Sequence, residues 1–343
     1  MAKELRKRGI EADLLISKQI ITGNASINDP LLHDQELDSY PEWVIFGEIN
    51  KRTKIFNIIK MMRKYDIIHA YNAVPIHAML SRKPYVAQSG GDDLRIKAFE
   101  RSITGYFLRK AYKKANQFVY VWPIHKPYVE KLGIKNPFYL PRIWDAQFFA
   151  KKKSKEEDQK SLVIFLPTVE EWRTKGNDKF LKAFAKLCKE QENIFLYYID
   201  WGKDSQKAKE ILLLPHVKER VKIIPGPISK EEMYAFMEKS DILADQFNSG
   251  SFTRVGIEAF TFGIPLLINL DEKLHSSLHD GSPRVINGKS EDEIYSKLKK
   301  FCRSKEGLAE IETNAQEWVS KNFDLQKNIE KYIQIYENII SKN

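Results

Sequence analysis

The stretch from Asp241 to Ile268 constrains the fold more than any other. Ile242-Leu-Ala244 is a short apolar run that ends in Asp245 and Gln246, as a buried strand does at its carboxyl end. Asn248-Ser-Gly-Ser251 is turn chemistry. Ser251 or Thr253 is placed to cap a short helix, which Gly263 ends, with Pro265 just beyond. Leu266-Leu-Ile268 reads as the next strand. The order is strand, loop, helix, strand. The loop lies at a strand carboxyl end and a helix amino end, where open α/β sheets bind ligands.

Glu258 is the residue in this stretch that needs a reason. Val255, Ile257, Ala259 and Phe260 surround it, so its helix is expected to be largely buried. Carboxylates are seldom buried without a partner. Arg254 at i,i+4 is one candidate, a pair worth about 0.2–0.5 kcal/mol. The hydroxyls of a ribose are the other. Spacing alone favours Arg254.

Taken whole, the stretch resembles the nucleotide-sugar site of family-four glycosyltransferases of the GT-B fold. Their pattern is an aspartate-glutamine strand end, a glycine loop, a helix with Glu-Ala, then Gly-x-Pro and an apolar strand. That family has two glutamates eight positions apart. The second binds the donor ribose and matches Glu258. The first would fall on Gly250, so this chain departs from the pattern there. The resemblance implies donor contacts from Gly250, Ser251, Phe252, Thr253 and Glu258.

Upstream, Leu162–Leu166 is a strand, and Lys175-Gly176 precedes a helix from Lys179 to Leu187. A cation beside free helix amides is a phosphate site in outline; a solvated loop lysine is the other reading. In the resembled family this lysine and an arginine hold the donor diphosphate. Lys175 matches the lysine. The arginine position falls on Val169, and Arg173 is the substitute on offer. Ile194–Ile199 and Val221–Ile224 are further strands. The turn at Gly226 would contact the base through main-chain groups, as its counterpart does in the family. Ser229-Lys-Glu-Glu232 has the form of a capping box.

The first part of the chain follows the same α/β alternation. Ala2–Gly9 reads as a helix end with a glycine stop, and a strand follows over Ile10–Ile16. A doubly wound domain places a strand and a glycine-rich turn before such a helix. The chain is thus expected to begin inside its first helix, through a late start codon or loss of that strand. Ile55–Met62 is an amphipathic helix. Asp66–Ala70, Pro84–Gln88 and Gln117–Val121 are strands. His69 stands at a strand end. Gly90-Gly91-Asp92-Asp93-Leu94-Arg95 is a tight turn into a helix, and resembles the family's cleft loop between donor and acceptor. Asp92 and Asp93 are the catalytic candidates by that resemblance. Gly90, Gly91, Arg95 and His69 are the acceptor-side candidates. Many relatives carry histidine where Gly90 stands.

The chain has 343 residues, enough for two domains, and is 43% hydrophobic. Two distant cysteines, Cys188 and Cys302, make no disulfide framework or metal spacing and suit a reducing cytoplasm. No apolar run reaches the roughly 18 residues of a membrane span, and the charged first residues do not read as a signal peptide, so none is expected. The net charge is +10. Without a zinc spacing, an RNA-binding aromatic signature or a helix-turn-helix, nucleic acid is not the expected partner. Anionic donors and an anionic membrane face are. Arg101–Ala115 reads as a helix with Tyr106, Phe107 and Tyr112 among Arg109, Lys110, Lys113 and Lys114. It suits either a lipid surface or a core-facing stripe with a solvated basic face.

The expected architecture is α/β, GT-B, with two doubly wound (Rossmann-like) domains facing each other across a cleft. The expected boundaries are 1–150 for an acceptor-side domain, 151–160 for a charged linker, 161–323 for a nucleotide-sugar domain, and 324–343 for a helix crossing back. The resemblance implies a cytoplasmic enzyme, peripheral at the membrane. It would move a hexosyl group from a nucleotide-sugar donor to a glycan or lipid-linked acceptor with retention of configuration, as in polysaccharide biosynthesis. No metal or other cofactor is implied. A nucleotide-sugar epimerase of the same fold and a non-catalytic binding or scaffold relative are the alternatives.

Overall fold

Twelve short strands and the helices between them are seen in a computed structural model that describes residues 1–17, 40–47, 55–144 and 161–342. The chain divides into two units. The linker expected at 151–160 lies outside the described residues.

The first unit holds the described residues up to Trp144 together with those from Phe323 onward. Strands β1 (Leu14–Ser17) and β2 (Val44–Gly47) pair in parallel. Strands β3 (Ile68–Tyr71), β4 (Tyr85–Ser89), β5 (Gln117–Tyr120) and β6 (Pro137–Tyr139) form a separate parallel sheet in chain order. Among the described residues no ladder joins β1 to β3. Tyr65 Oη donates to Asp13 Oδ2 at 2.6 Å and ties the two sheets where they begin. The helix Ile55–Met62 turns Ile58, Ile59 and Met62 inward, the stripe its periodicity predicts. The helix Leu325–Ile340 belongs to this unit, and Asp324 caps it by accepting from Lys327 N at 2.8 Å. Its Ile329 and Tyr332 are buried with Val86, Val119 and Leu140. Tyr332 Oη also donates to Gln88 Oε1 at 3.0 Å.

The second unit carries a six-stranded parallel sheet. Its strands are β7 (Leu162–Leu166), β8 (Ile194–Asp200), β9 (Val221–Pro225), β10 (Ile242–Ala244), β11 (Leu266–Ile268) and β12 (Ile286–Asn287). The order is β12-β11-β10-β7-β8-β9. The chain runs outward from β7 one way, returns, and runs outward from β10 the other way. β7 and β10 are therefore neighbours, paired Ile164 to Ile242 and Phe165 to Leu243. Helices leaving their carboxyl ends diverge to opposite faces and open a crevice between them. Strands β7, β10 and β11 are buried along their whole length, which is why they read as continuous apolar runs. The two-residue β12 carries no such signal.

No helix among the described residues is long and apolar enough to cross a membrane.

Candidate functional site

The switch point between β7 and β10 is built around Asp245. Its carboxylate is fully buried. Oδ1 accepts from Thr168 Oγ1 at 2.9 Å, linking the carboxyl ends of both strands. Oδ2 accepts from Thr253 N at 3.0 Å and Thr253 Oγ1 at 2.8 Å. Thr253 is the residue before the helix Arg254–Phe262, but its hydroxyl does not cap that helix because Asp245 takes it. Ser251 is not the cap either: it is buried, with Oγ 3.1 Å from His275 Nε2.

Lys175 and Gly176 lie beside this loop. Lys175 Nζ donates to Gln246 Oε1 at 3.3 Å, and Phe247 N donates to Lys175 O at 2.6 Å. Gly176 has φ +72° and joins the short helix Trp172–Lys175 to the helix Asn177–Leu187. A Cβ there would stand 2.6 Å from Asn248 Oδ1. Asn248 Nδ2 in turn donates to Trp172 O at 3.1 Å, and Lys179 Nζ donates to Asn248 Oδ1 at 2.6 Å. Glycine is required twice over at 176, by backbone conformation and by space. The result is a half-buried lysine and a helix amino end facing the β10 loop, where an anion is stabilised. Arg173 is exposed on the same short helix.

Gly250 has φ +71°, a conformation that side-chain residues rarely adopt, which accounts for glycine at that position. Phe252 is turned inward. Its ring packs on Phe260, His275 and Trp318 and is buried, so only its main chain is left for a ligand. Gly226 packs closely too: a Cβ would meet Ile199 Cγ2 at 2.5 Å.

Glu258 is buried, and the expected pair with Arg254 forms at 3.2 Å. The closer partner is Lys230, whose Nζ donates to both carboxylate oxygens at 2.8 and 2.9 Å. Lys230 sits inside the capping box of Ser229 and Glu232, which is present as expected. Nothing in the spacing ties residue 230 to 258, so the sequence held no signal for this contact. A hydroxyl ligand reaches Glu258 only by taking the place of Lys230.

In the first unit, the loop Gly90–Arg95 follows β4. Asp93 is buried and both its oxygens are engaged, by Gly91 N at 2.7 Å and Tyr112 Oη at 2.6 Å. This corrects its reading as a cleft-facing acid: it organises its own loop. Asp92 is exposed and pairs with Arg95 at 2.6 Å. A Cβ at Gly90 would meet Asn72 Oδ1 at 2.7 Å, so any larger residue there displaces Asn72. His69 is held between Gln88, through Nε2 at 2.8 Å, and the Tyr336 hydroxyl at Nδ1. Burial lowers its pKa to about 4, so it is neutral near pH 7. The strand runs on to Tyr71, so His69 lies inside β3, paired with Val86, and not at the strand end that the sequence implies; both ring nitrogens are committed to protein partners.

Sequence reasoning missed Thr168, Glu170, Asn177, Lys179, Lys230 and Asn248. Each acts through a partner distant in sequence or in an irregular loop, where no periodicity marks a role.

This chain is similar to glycosyltransferases by sequence and by fold. It is 22% identical over 194 residues to the glycosyltransferase MJ1069 of Methanocaldococcus jannaschii, a match that spans 55% of this chain and 48% of that protein. It superposes on Anabaena HepE, a protein crystallised with UDP and glucose, with a TM-score of 0.68 at 14% identity, over 86% of this chain and 85% of that one. On the sucrose-phosphate synthase of Thermosynechococcus elongatus the TM-score is 0.70 at 15% identity, over 99% and 91%. At those identities the likeness establishes the fold, which is GT-B. Residues 146–318, just over half of the chain, match the family Glycosyl transferases group 1, and the chain belongs to that family.

Proposed function

We propose that this chain transfers a sugar from a nucleotide-diphosphate sugar to a glycan or lipid-linked acceptor, with retention of configuration. The observation that carries the reading is the meeting of Lys175, the amino end of the helix Asn177–Leu187 and the Gln246–Thr253 loop at the β7/β10 switch point. Lys175 and the helix amides would stabilise the departing diphosphate, with Arg173 nearby and Gly226 at the base. No metal is proposed, since lysine and amides supply the charge. Glu258 would take the ribose once Lys230 yields. The similarity to HepE, crystallised with UDP and glucose, supports a nucleotide donor.

The helix Ile103–Lys114 supports a peripheral, cytoplasmic-face location. Gly105, Leu108, Ala111 and Tyr112 are buried, whereas Ile103, Tyr106 and Phe107 are exposed beside Lys110, Lys113 and Lys114. Exposed aromatics among lysines suit an anionic lipid surface, where a lipid-linked acceptor would be met.

One observation favours a second reading, a non-catalytic relative: Lys230 occupies both oxygens of Glu258. A thermal-shift titration with UDP, GDP, ADP and CMP, on the wild type and Lys175→Ala, separates the two. A ligand at about 100 times its Kd adds about 2.7 kcal/mol of stability. A shift with one nucleotide, lost in Lys175→Ala, is the expected result. No shift with any of them on folded protein would overturn the donor-site reading.

A further inference from the structure

Glu170 is the buried group that the proposed chemistry does not use. It lies in the loop after β7, five residues before Lys175. Its side chain is fully buried. Oε2 accepts from Trp172 Nε1 at 2.9 Å, and Oε1 accepts from Asn177 Nδ2 at 3.1 Å. Those two partners bracket the segment Arg173–Gly176: Trp172 opens the short helix before it, and Asn177 opens the long helix after it. The backbone of Glu170 is equally fixed. Its N–H donates to Trp201 O at 2.9 Å, and its carbonyl accepts from Asp204 N at 3.0 Å. Asp204 Oδ2 in turn accepts from Trp172 N at 3.0 Å. One carboxylate therefore clasps both ends of the anion loop.

We propose that Glu170 is a positioning residue for the Lys175–Gly176 loop and that its protonation, coupled to a turn-over of the Asn177 amide, tightens nucleotide-sugar binding. The inference rests on the donor-site reading above. As drawn, both carboxylate oxygens receive N–H donors, so the ionised form is satisfied. A proton on Oε1 would face the Asn177 Nδ2 hydrogens. The remedy is at hand: Asn177 Oδ1 is buried with no hydrogen-bond partner among the described residues. Turning the amide over brings that oxygen to the new O–H. The turn-over gives up the Nδ2 bond to Val169 O, 3.3 Å away, and carries Nδ2 to the place where Oδ1 has no partner, so it occurs only when the new O–H offsets that loss.

The sign follows from charge. An ionised Glu170 places a negative charge behind the amino end of the helix Asn177–Leu187 and offsets the positive potential that attracts a diphosphate. The neutral form leaves that potential intact. Burial, the largest cause, with Asp204 and Asp178 adding to it and the bonds from Asn177 and Trp172 opposing it, raises the Glu170 pKa to about 7. The exchange thus falls in the physiological range. Asp204 is held ionised by Lys207 and the Trp172 amide, and Glu171 by Lys203. Asp178 pairs with Lys182 at 3.3 Å. The Tyr198 phenol is pushed up by burial, and the basic side chains of the loop are Arg173, Lys175 and Lys179.

The test measures the affinity of UDP-glucose, GDP-mannose and ADP-glucose by calorimetry between about pH 5.5 and 8.5. These donors keep a constant diphosphate charge over that range. Wild type and Glu170→Gln are compared. The glutamine accepts from Trp172 and donates to a turned Asn177, so it mimics the protonated state. The expected result is several-fold weaker wild-type binding at the alkaline end, and a flat profile at the tighter value for Glu170→Gln. A flat wild-type profile, or a slope that survives in Glu170→Gln, overturns the proposal and leaves the donor site standing. Binding of none of the three at any pH overturns the donor-site reading and this one with it. The Trp172 indole N–H resonance gives a second readout that needs no variant. In wild-type protein its midpoint should lie near 7 and move up when the donor saturates the site. An indole resonance that does not titrate overturns the proposal.

Discussion

At the residue scale, the site depends on a few buried charges whose partners are specific. Lys175 Nζ bonding a phosphate oxygen would be a charge-assisted bond of about 1.5–3 kcal/mol. Lys175→Ala is therefore expected to weaken nucleotide binding by roughly ten- to a hundredfold. Its side chain is only half-buried, so stability should hardly change. Urea unfolding and calorimetry on the same protein check both halves. Lys230 behaves differently. Lys230→Met leaves Glu258 buried with only the longer Arg254 contact, and is expected to cost about 2–4 kcal/mol of stability. The double variant Lys230→Met, Glu258→Gln should recover most of that. Additive losses in a double-mutant cycle would show that the pair does not act as a unit.

At the element scale, the two loop glycines are required for different reasons and should not respond alike. Gly250→Ala meets only a left-handed φ, since an added Cβ lies at ordinary contact distance from Asp271, 3.4 Å. A loss of about 1 kcal/mol is expected. Gly176→Ala meets the same φ penalty and a 2.6 Å clash with Asn248. It should lose more stability than Gly250→Ala and also weaken nucleotide binding, because Asn248 ties the loop to Trp172 and Lys179. Equal losses in the two variants, measured by chemical denaturation, would contradict this account. The helix Ile103–Lys114 shows why such distinctions need the fold. In sequence its aromatics suit a core stripe and a lipid surface equally, and the packing of Tyr112 with Phe118 selects which aromatic is core. Tyr106 and Phe107 are left outside.

At the scale of the whole molecule, buried histidines set the response to acid. Burial lowers the pKa of His69 and His279 to about 4 and of His125 and His275 to about 3. The unfolded chain takes up protons first, near 6.5. Their contribution to stability is complete above that value and is lost as pH falls toward 4. Glu170 has the opposite sign. Its folded pKa is raised, so its contribution is complete below the ordinary carboxylate value of 4.5 and is lost as pH rises through about 7. The urea midpoint of the wild type is expected to fall between about pH 6.5 and 5. Relative to wild type, Glu170→Gln should gain stability on going from acid to alkaline pH. A difference between the two that does not vary with pH would refute the assignment.

Of the twelve described strands, β2, β6 and β12 were not legible in the sequence, whereas the other nine, the Asp241–Ile268 unit, the capping box at Ser229 and the helix Ile55–Met62 were. Each is a local matter of apolar period, turn chemistry and capping, and neighbouring residues suffice to specify it. The resemblance carried by the Asp245 to Pro265 pattern pointed to a glycosyltransferase of the GT-B fold for the same reason. The tertiary structure decided which charges meet. Lys230 and Glu258 stand 28 positions apart, and Thr168 and Asp245 stand 77 apart. It turned Asp93 and Phe252 inward, and it placed Glu170 between Trp172 and Asn177. Those outcomes depend on strand order and on which polar groups burial leaves without water, and no residue's immediate neighbours in the chain carry that information.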